Sequence, residues 1–285
     1  MKILFVGNRR FVLEEILKKK INCKVLVIKG SHLEKDLSNM NVDNYQLINS
    51  KIDLLNEINK VDFDFFLSNG CPYIIPNKYL NKKKYINIHP SFLPDLKGID
   101  PIIGSVKFQR DSGATCHLIT KDIDGGPIIS QEKIKFSKDL DSTLLYQLSF
   151  IAEKKVFNDG LKLNFVPQKK QKKGNWIYYS RKDNDRFINF QNTCEEIIQN
   201  VKAFSNKSQG CYFFINNAKF RFYYATILKV DYLKKYSKKF NDLEVIIAIE
   251  DMIIFKLFNK LIKFSGVIGV MSQVKIGDKI SGLKF

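Results

Sequence analysis

The sequence predicts an α/β protein with a doubly wound, mostly parallel sheet and a smaller β-rich C-terminal domain. Three observations predict it. Strand-like and helix-like segments alternate through the first half, the order that builds a parallel sheet. Short strand-like runs separated by turn residues fill the end of the chain, the pattern of a small sheet or barrel domain. Between them, at NFVPQKKQKKGNWIYYSRKD, Pro, Gly and a run of Lys mark a change of composition and a bridge. The expected division is 1–165 and 166–285. A chain of 285 residues, 45% hydrophobic, can fill two ordinary cores, which excludes wholesale disorder.

KILFVG reads as a buried strand ending at Gly7, and FVLEEILKKK as a helix with Phe11, Leu13, Ile16 and Leu17 on one side. CKVLVIKG is the second strand. A helix-like stretch near Asp53–Lys60 leads to a third, DFFLSNG, and YINIH, ATCHLIT and PIISQEKIKF complete a set of six. DLDSTLLYQLSFIAEKKVFNDGLKL is a long amphipathic helix capped by Asp141 or Ser142. Beyond the bridge come a helix, CEEIIQNVKAF, and the strands GCYFFI, KFRFYYATILKV, EVIIAI and MIIFKLF.

The start of the chain has no apolar stretch with a small-residue cleavage pattern, and no run reaches the length of a membrane span. Cys23, Cys71, Cys116, Cys194 and Cys211 form no C-x-x-C pair and no metal spacing with His; they read as reduced thiols of a cytoplasmic protein, with no metal expected. The net charge of +18 has two readings. One is an acidic partner: nucleic acid, a nucleotide-linked substrate or an anionic surface. The other is compositional, with lysines such as Lys18–Lys20, Lys82–Lys84 and Lys169–Lys173 solvating the surface.

The segment INIHPSFLPDLKGIDPI carries the chemistry. Alternation along a strand puts Asn87 and His89 on one face and Ile86 and Ile88 on the other, just before Pro90 and a Pro/Gly-bearing loop. A polar pair there reads as a site at a strand's carboxyl end. About thirty residues on, SGATCHLITKDIDGGPIISQ brings a strand and then a tight loop, Thr120–Gly126, with Asp122 and Asp124. An Asn, a His and an Asp meeting at two strand ends suit acyl transfer to an amine. The Asn donates to an oxyanion, the His exchanges a proton, and the carboxylate orients the His. His89 alone is equally consistent with a structural histidine; His117, inside an alternating strand, reads as structural, and His32 carries no signal.

Together these stretches resemble the signature of the folate-dependent formyltransferase family. Its pattern is Asn-x-His-x-Ser-x-Leu-Pro, a Gly-containing loop, a Gly-x-Thr-x-His strand, then Asp-x-Gly-x-x-Ile. The matches are Asn87, His89, Ser91, Leu93, Pro94, Gly98, Gly113, Thr115, His117, Asp124, Gly126 and Ile129. The resemblance implies a Rossmann-like formyltransferase core at 1–165, Asn87, His89 and Asp124 as the catalytic trio, and 10-formyltetrahydrofolate as formyl donor. It also implies a pterin slot lined by Tyr73, Ile74 and Ile75 of CPYIIP and closed by Ile119, Thr120, Asp122 and Ile123. Without the motif, CPYIIP is an ordinary loop with buried apolar residues.

Three acceptor classes follow from the resemblance. The purine-pathway enzyme is shorter and carries a Gly-x-Gly-Ser-Asn phosphate loop where this chain has VGNRRF. The methionyl-tRNA formyltransferases have a C-terminal barrel and a basic insertion after the second strand, where this chain has the short, mixed KGSHLEKDLSNMNVDNY. The sugar N-formyltransferases are close to this length, and YYSRKDNDRFINF with IIQNVKAF resembles a linker and helix they share with the tRNA enzymes. SNKSQGCYFF replaces the Trp-Pro-Gly-type turn that often follows. A nucleotide-linked amino sugar is therefore the expected acceptor, with methionyl-tRNA the alternative and a non-catalytic folate- or nucleic-acid-binding relative a third reading. Neither a membrane nor nucleic acid is the expected partner, and a homodimer stays open. On this reading Asn8, Arg9 and Arg10 face a diphosphate at a helix start, Lys97 a phosphate, and Trp176, Tyr178, Tyr223 and Tyr224 offer stacking faces for a base. Solvated arginines and lysine, and aromatics of a β-domain core, are the competing readings.

Overall fold

The computed structural model describes residues 1–40, 42, 44–80 and 83–282; parts of the stretches 29–45, 82–84 and 166–285 singled out above lie outside the described residues. The chain divides into two compact units. The first comprises Met1–Ile102, Asp111–Lys135 and Tyr146–Tyr179, the second Ile103–Arg110, Phe136–Leu145 and Ser180–Phe285.

In the first unit the elements run β1 Lys2–Gly7, α1 Phe11–Lys18, β2 Asn22–Ile28, α2 His32–Asp36, β3 Tyr45–Ile48, α3 Lys51–Lys60, β4 Phe65–Asn69, α4 Asn77–Leu80 and β5 Lys84–His89. Helix α5, Pro101–Lys107, begins here and continues into the second unit; β6 Ser112–Leu118, β7 Ile128–Ile134 and most of α6, Ser142–Lys162, complete it. The sheet order is β3-β2-β1-β4-β5-β6-β7. β1 to β5 are parallel, and β6 and β7 run antiparallel at one edge. Both faces are covered, which is why β1 and β4 are almost continuously apolar. Leu4, Val6, Phe66 and Tyr85 pack with Leu54 and Ile58 of α3. Ile3, Phe5, Leu67, Ile86 and Ile88 pack with Val12, Leu13 and Ile16 of α1 and Ala152, Val156 and Phe157 of α6. The strand order reverses between β1 and β4, so the loops beyond their carboxyl ends form the switch point where such sheets bind ligands.

In the second unit the elements run α7 Cys194–Ala203, β8 Cys211–Ile215, β9 Ala218–Phe222, β10 Tyr224–Leu228, α8 Asp231–Tyr236, β11 Val245–Ile249, β12 Met252–Leu257, β13 Lys260–Ser265 and β14 Ile280–Ser281. They build a four-stranded antiparallel sheet, β10-β13-β12-β11, and a three-stranded one, β14-β8-β9. Phe213 and Phe222 from the smaller sheet interlock with Phe264 from the larger at ring distances of 4.3–5.4 Å, making one aromatic core. Thr193 and Glu196 form a reciprocal cap on α7.

The predicted fold class is the observed one, with corrections at particular elements. KFRFYYATILKV is not one strand: the chain leaves one sheet at Phe222 and enters the other at Tyr224, with no Gly or Pro to mark the break. β3, in which only Ile48 is fully buried, and β13 are strands the sequence reading does not contain. Helix α5 lies within what read as a loop; its opening residue is Pro101, a first-turn position where the missing N–H costs nothing. Asp141 is the cap of α6, accepting from the Leu144 N–H at 2.8 Å. The five cysteines form no disulfide.

Candidate active site

The carboxyl end of β5 and the turn between β6 and β7 meet at Asp124. Asn87 Nδ2 lies 3.4 Å from Asp124 Oδ1, and His89 Nδ1 lies 3.6 Å from the same oxygen. His89 Nε2 donates to the Leu96 carbonyl at 3.0 Å, so both ring nitrogens face oxygen acceptors. The other carboxylate oxygen, Oδ2, accepts the Gly98 N–H at 3.0 Å. The three residues picked from sequence are therefore brought together by side-chain contacts.

A fourth member was not expected. In the β5–β6 pairing Asn87 stands opposite His117, whose Nε2 lies 3.3 Å from Asn87 Nδ2 and 3.7 Å from Asp124 Oδ1. The histidine read as structural is thus in contact with the trio. Burial first, and the positive neighbours His89 and Lys97 after it, push the His117 ring down to about 4 despite the opposing Asp124 charge. For Asp124 burial works against ionisation, but His89, His117, the Gly98 N–H and Lys97 outweigh it and hold the carboxyl below its usual range.

The loops that deliver these groups are tightly specified. Asp124 sits in the left-handed region, at φ +48°, rare for a non-glycine residue. A Cβ at Gly126 would lie 1.8 Å from the Leu118 carbonyl, so only glycine fits there. Below the site, Thr115 Oγ1 donates to the Ser91 carbonyl and accepts the Leu93 N–H, while Gln131 Nε2 donates to Leu93 O. These bonds fix the His89–Pro94 turn and give the Thr of the motif a structural reason, while the Ser91 hydroxyl donates to the Asp95 carbonyl at 3.0 Å.

The segment expected to line a pterin slot is mixed. Ile75 is buried in the α3-side core, and Tyr73 packs against that core and donates its hydroxyl to the Asn49 carbonyl. Ile119 packs there too, and Thr120 Oγ1 donates to the Asp122 carbonyl. Ile74 and Ile123, by contrast, are 64% and 49% exposed, one on each loop. Of the apolar residues expected to line the slot, Ile74 and Ile123 rather than Ile75 leave side-chain surface open.

The expected diphosphate residues are placed otherwise. Arg9 is committed to Glu153 of α6, which is fully buried and also accepts from Asn69 Nδ2 at 3.1 Å. Arg10 pairs with Glu14 and Asp36 at the surface. The Asn8 and Asn69 side-chain oxygens are buried without a partner among the described residues. Lys97 pairs through its backbone with Ile177 and Tyr179 and is half-buried. Trp176 donates its indole N–H to the Lys172 carbonyl and, with Tyr178, stays exposed. In the second unit Tyr224 is exposed, but Tyr223 is buried with its hydroxyl on the Lys207 carbonyl, so it offers no free stacking face. Among the described residues no three His, Cys, Asp or Glu side chains gather as a metal ion would require. None of the described helices is long and apolar enough to cross a membrane.

Comparison with known proteins gives the class. The family described as formyl transferase matches residues 16–161, more than half of the chain, and its C-terminal domain matches residues 181–254. The chain belongs to the formyl transferase family. Among curated relatives it is 28% identical over 178 residues to the methionyl-tRNA formyltransferase of Malacoplasma penetrans, covering 60% of this chain and 55% of that one. It is 34% identical over 142 residues to that of Wolbachia pipientis subsp. Culex pipiens, covering 47% and 46%. The chain thus spans about half the length of the curated relatives it matches. Among solved structures, the N-formyltransferase of Helicobacter canadensis, in complex with folinic acid and dTDP-3-aminofucose, superposes with a TM-score of 0.68 at 20% identity, covering 94% of this chain and 100% of that one. WlaRD, a sugar 3N-formyltransferase solved with dTDP and 5-N-formyl-THF, gives 0.67 at 22%, covering 93% and 97%.

Proposed function

We propose that the protein is an N-formyltransferase that moves a formyl group from 10-formyltetrahydrofolate to the amine of a nucleotide-diphosphate-linked amino sugar. The observation that carries this reading is the convergence of Asn87, His89 and His117 on one carboxylate oxygen of Asp124. The folate supplies an activated formyl carbon. The acceptor amine adds to it, the carbon–folate nitrogen bond breaks, and the amine's proton ends on the folate nitrogen. Asn87, whose amide hydrogens face His117 and Asp124 before substrate binds, turns one of them to the formyl oxygen as charge develops there. His89, oriented by Asp124 and the Leu96 carbonyl, exchanges the amine proton. Ile74 and Ile123 cover the pterin. No Ser or Cys nucleophile is needed.

The amino-sugar acceptor is supported by structural neighbours that match this chain along nearly their whole length and were solved with dTDP or a dTDP-amino sugar. Methionyl-tRNA is the second reading, favoured by the names of the curated relatives and by the +18 charge. In the proposed organisation of this cytoplasmic enzyme the reacting groups lie within residues 1–165, residues 166–179 belong with the same compact unit, and the C-terminal domain follows. A panel of acceptors with 10-formyltetrahydrofolate, including dTDP-amino sugars, UDP-amino sugars and methionyl-tRNA, tests the reading. Formylation of a sugar nucleotide supports it, formylation of methionyl-tRNA alone selects the second reading, and no transfer to any amine overturns both.

A further inference from the structure

The stretch read from sequence as a bridge is built into the site. Its lysines Lys169, Lys170, Lys172 and Lys173 are exposed, while Gln171 between them turns inward. Both hydrogens of its side-chain amide are used: Nε2 donates to the Asp124 carbonyl at 2.7 Å and to the Gly126 carbonyl at 2.8 Å. Its own oxygen is buried with no partner among the described residues, so the amide is held in place by its donor end. The same stretch is anchored before and after Gln171. The Ile128 N–H donates to the Lys169 carbonyl at 2.8 Å, the Ile177 N–H donates to Asp95 Oδ1 at 3.0 Å, the Lys97 N–H donates to the Ile177 carbonyl at 3.0 Å and the Tyr179 N–H to the Lys97 carbonyl at 2.8 Å. The second of these contacts fixes the loop of Gly98, whose N–H holds the Asp124 carboxylate. A Cβ on Gly98 would meet the Tyr179 carbonyl at 2.7 Å, so the two segments are in close contact. The backbone of Asp124 and its carboxylate are therefore both tied to residues 169–179, one through Gln171 and the other through Gly98.

We propose that Gln171 is a positioning residue for Asp124, clamping the carbonyls on either side of Gly125 so that a carboxylate in a left-handed backbone conformation meets Asn87 and His89 in one geometry. The inference rests on the formyl-transfer reading for its catalytic consequence, but not for the clamp itself. Both donors of Gln171 go to main-chain carbonyls of the Asp124 loop, so its loss acts through Asp124. Such a residue alters the chemical step more than it alters substrate binding, since an ångström of misplacement at a reacting group lowers turnover steeply.

Two variants test this. Gln171→Met keeps the length and removes both donors; Gln171→Glu keeps the shape and puts an acceptor against two carbonyls. In each, kcat should fall about tenfold or more with both KM values within about threefold of wild type. Backbone amides of residues 118–126 should exchange with solvent at least about tenfold faster, while those of β4 and β5 keep their protection. Turnover of Gln171→Met within about twofold of wild type overturns the positioning role. Unchanged exchange in 118–126 overturns the clamp. Loss of protection throughout the sheet in both variants also overturns it, because the role would then be general stability. If the wild-type protein formylates no acceptor, the functional reading fails, and the exchange comparison still decides the clamp.

Discussion

Asn87 and His117 face each other across the antiparallel β5–β6 pair, with Asn87 Nδ2 donating to His117 Nε2 at 3.3 Å. That bond makes Nε2 an acceptor, so the proton of the ring lies on Nδ1, which donates to the Leu118 carbonyl at 2.9 Å. His117 is thereby a neutral ring held at both nitrogens. It orients the Asn87 amide, whose other hydrogen points to Asp124.

Stability should fall as pH drops from about 6.5 to about 4. His117 ordinarily takes a proton near 6.5, but in the fold only near about 4. Between those values the unfolded chain binds a proton that the folded chain does not, so acid favours unfolding there. At about 1.4 kcal/mol per pH unit the effect amounts to about 3 kcal/mol at most. The lowered Asp124 acts in the same sense: its contribution is present above the ordinary carboxylate range and is lost as pH falls through its folded value. Urea unfolding across this range should show the slope, and His117→Asn should flatten it between about 6.5 and 4. An equal slope in that variant would assign the acid sensitivity elsewhere.

Asn87→Ala, His89→Asn and Asp124→Ala should each reduce turnover by at least about a hundredfold, the lower end for losing an oxyanion donor or a proton-transfer group. Because the three act on one another, the double variant Asn87→Ala/Asp124→Ala should lose little more than the worse single one. Steady-state kinetics decide it; near-normal turnover in all three would remove them from the chemistry.

Arg9→Ala should destabilise the fold by about 3 kcal/mol or more, since it leaves the fully buried Glu153 carboxylate without its charged partner. Arg10→Ala, which breaks pairs between half-exposed groups, should cost under about 1 kcal/mol. Glu153→Gln in the Arg9→Ala background should recover much of the loss by removing the buried charge. Chemical unfolding of the four proteins measures all of this, and equal costs at Arg9 and Arg10 would show that Glu153 does not depend on Arg9.

What the sequence revealed, and what it hid, divides by range. Alternation is local, so Asn87 and His89 against Ile86 and Ile88 were legible, and the Gly125-Gly126-Pro127 turn marked the loop of Asp124. The contacts that were missed join distant segments. Arg9 looked like a free cation because Glu153 lies 144 residues away. His117 looked structural because only the β5–β6 register places it against Asn87. Gln171 looked like part of a lysine-rich linker because its hydrogen bonds go to main-chain carbonyls, which carry no residue signature. Tyr223 looked like a stacking face because the change of sheet beside it has no turn residue.

The acceptor is distinguished by how its affinity responds to salt. The chain carries +18 formal charge, and tRNA would meet many of those lysines and arginines along its backbone. Each phosphate neutralised releases counterions, so a contact set of six to ten phosphates loses about a thousandfold or more in affinity between about 50 and 200 mM salt. A sugar nucleotide presents a diphosphate, about two charges, partly shielded from solvent when bound, and screening weakens it far less. The structure sharpens this expectation at one point. Arg9 is held by Glu153 and Arg10 by Glu14 and Asp36, so neither is a free cation at the switch point. Diphosphate recognition should then fall to main-chain N–H groups at the start of α1, where Arg10 provides no side-chain cap, and those donors carry no counterions to release. The acceptor KM should therefore change by less than about tenfold over the same salt range, and methionyl-tRNA should not be formylated. Kinetics across a salt series with the sugar nucleotide and with methionyl-tRNA make the measurement. A steep slope accompanied by formylated methionyl-tRNA would replace the sugar reading with the tRNA one.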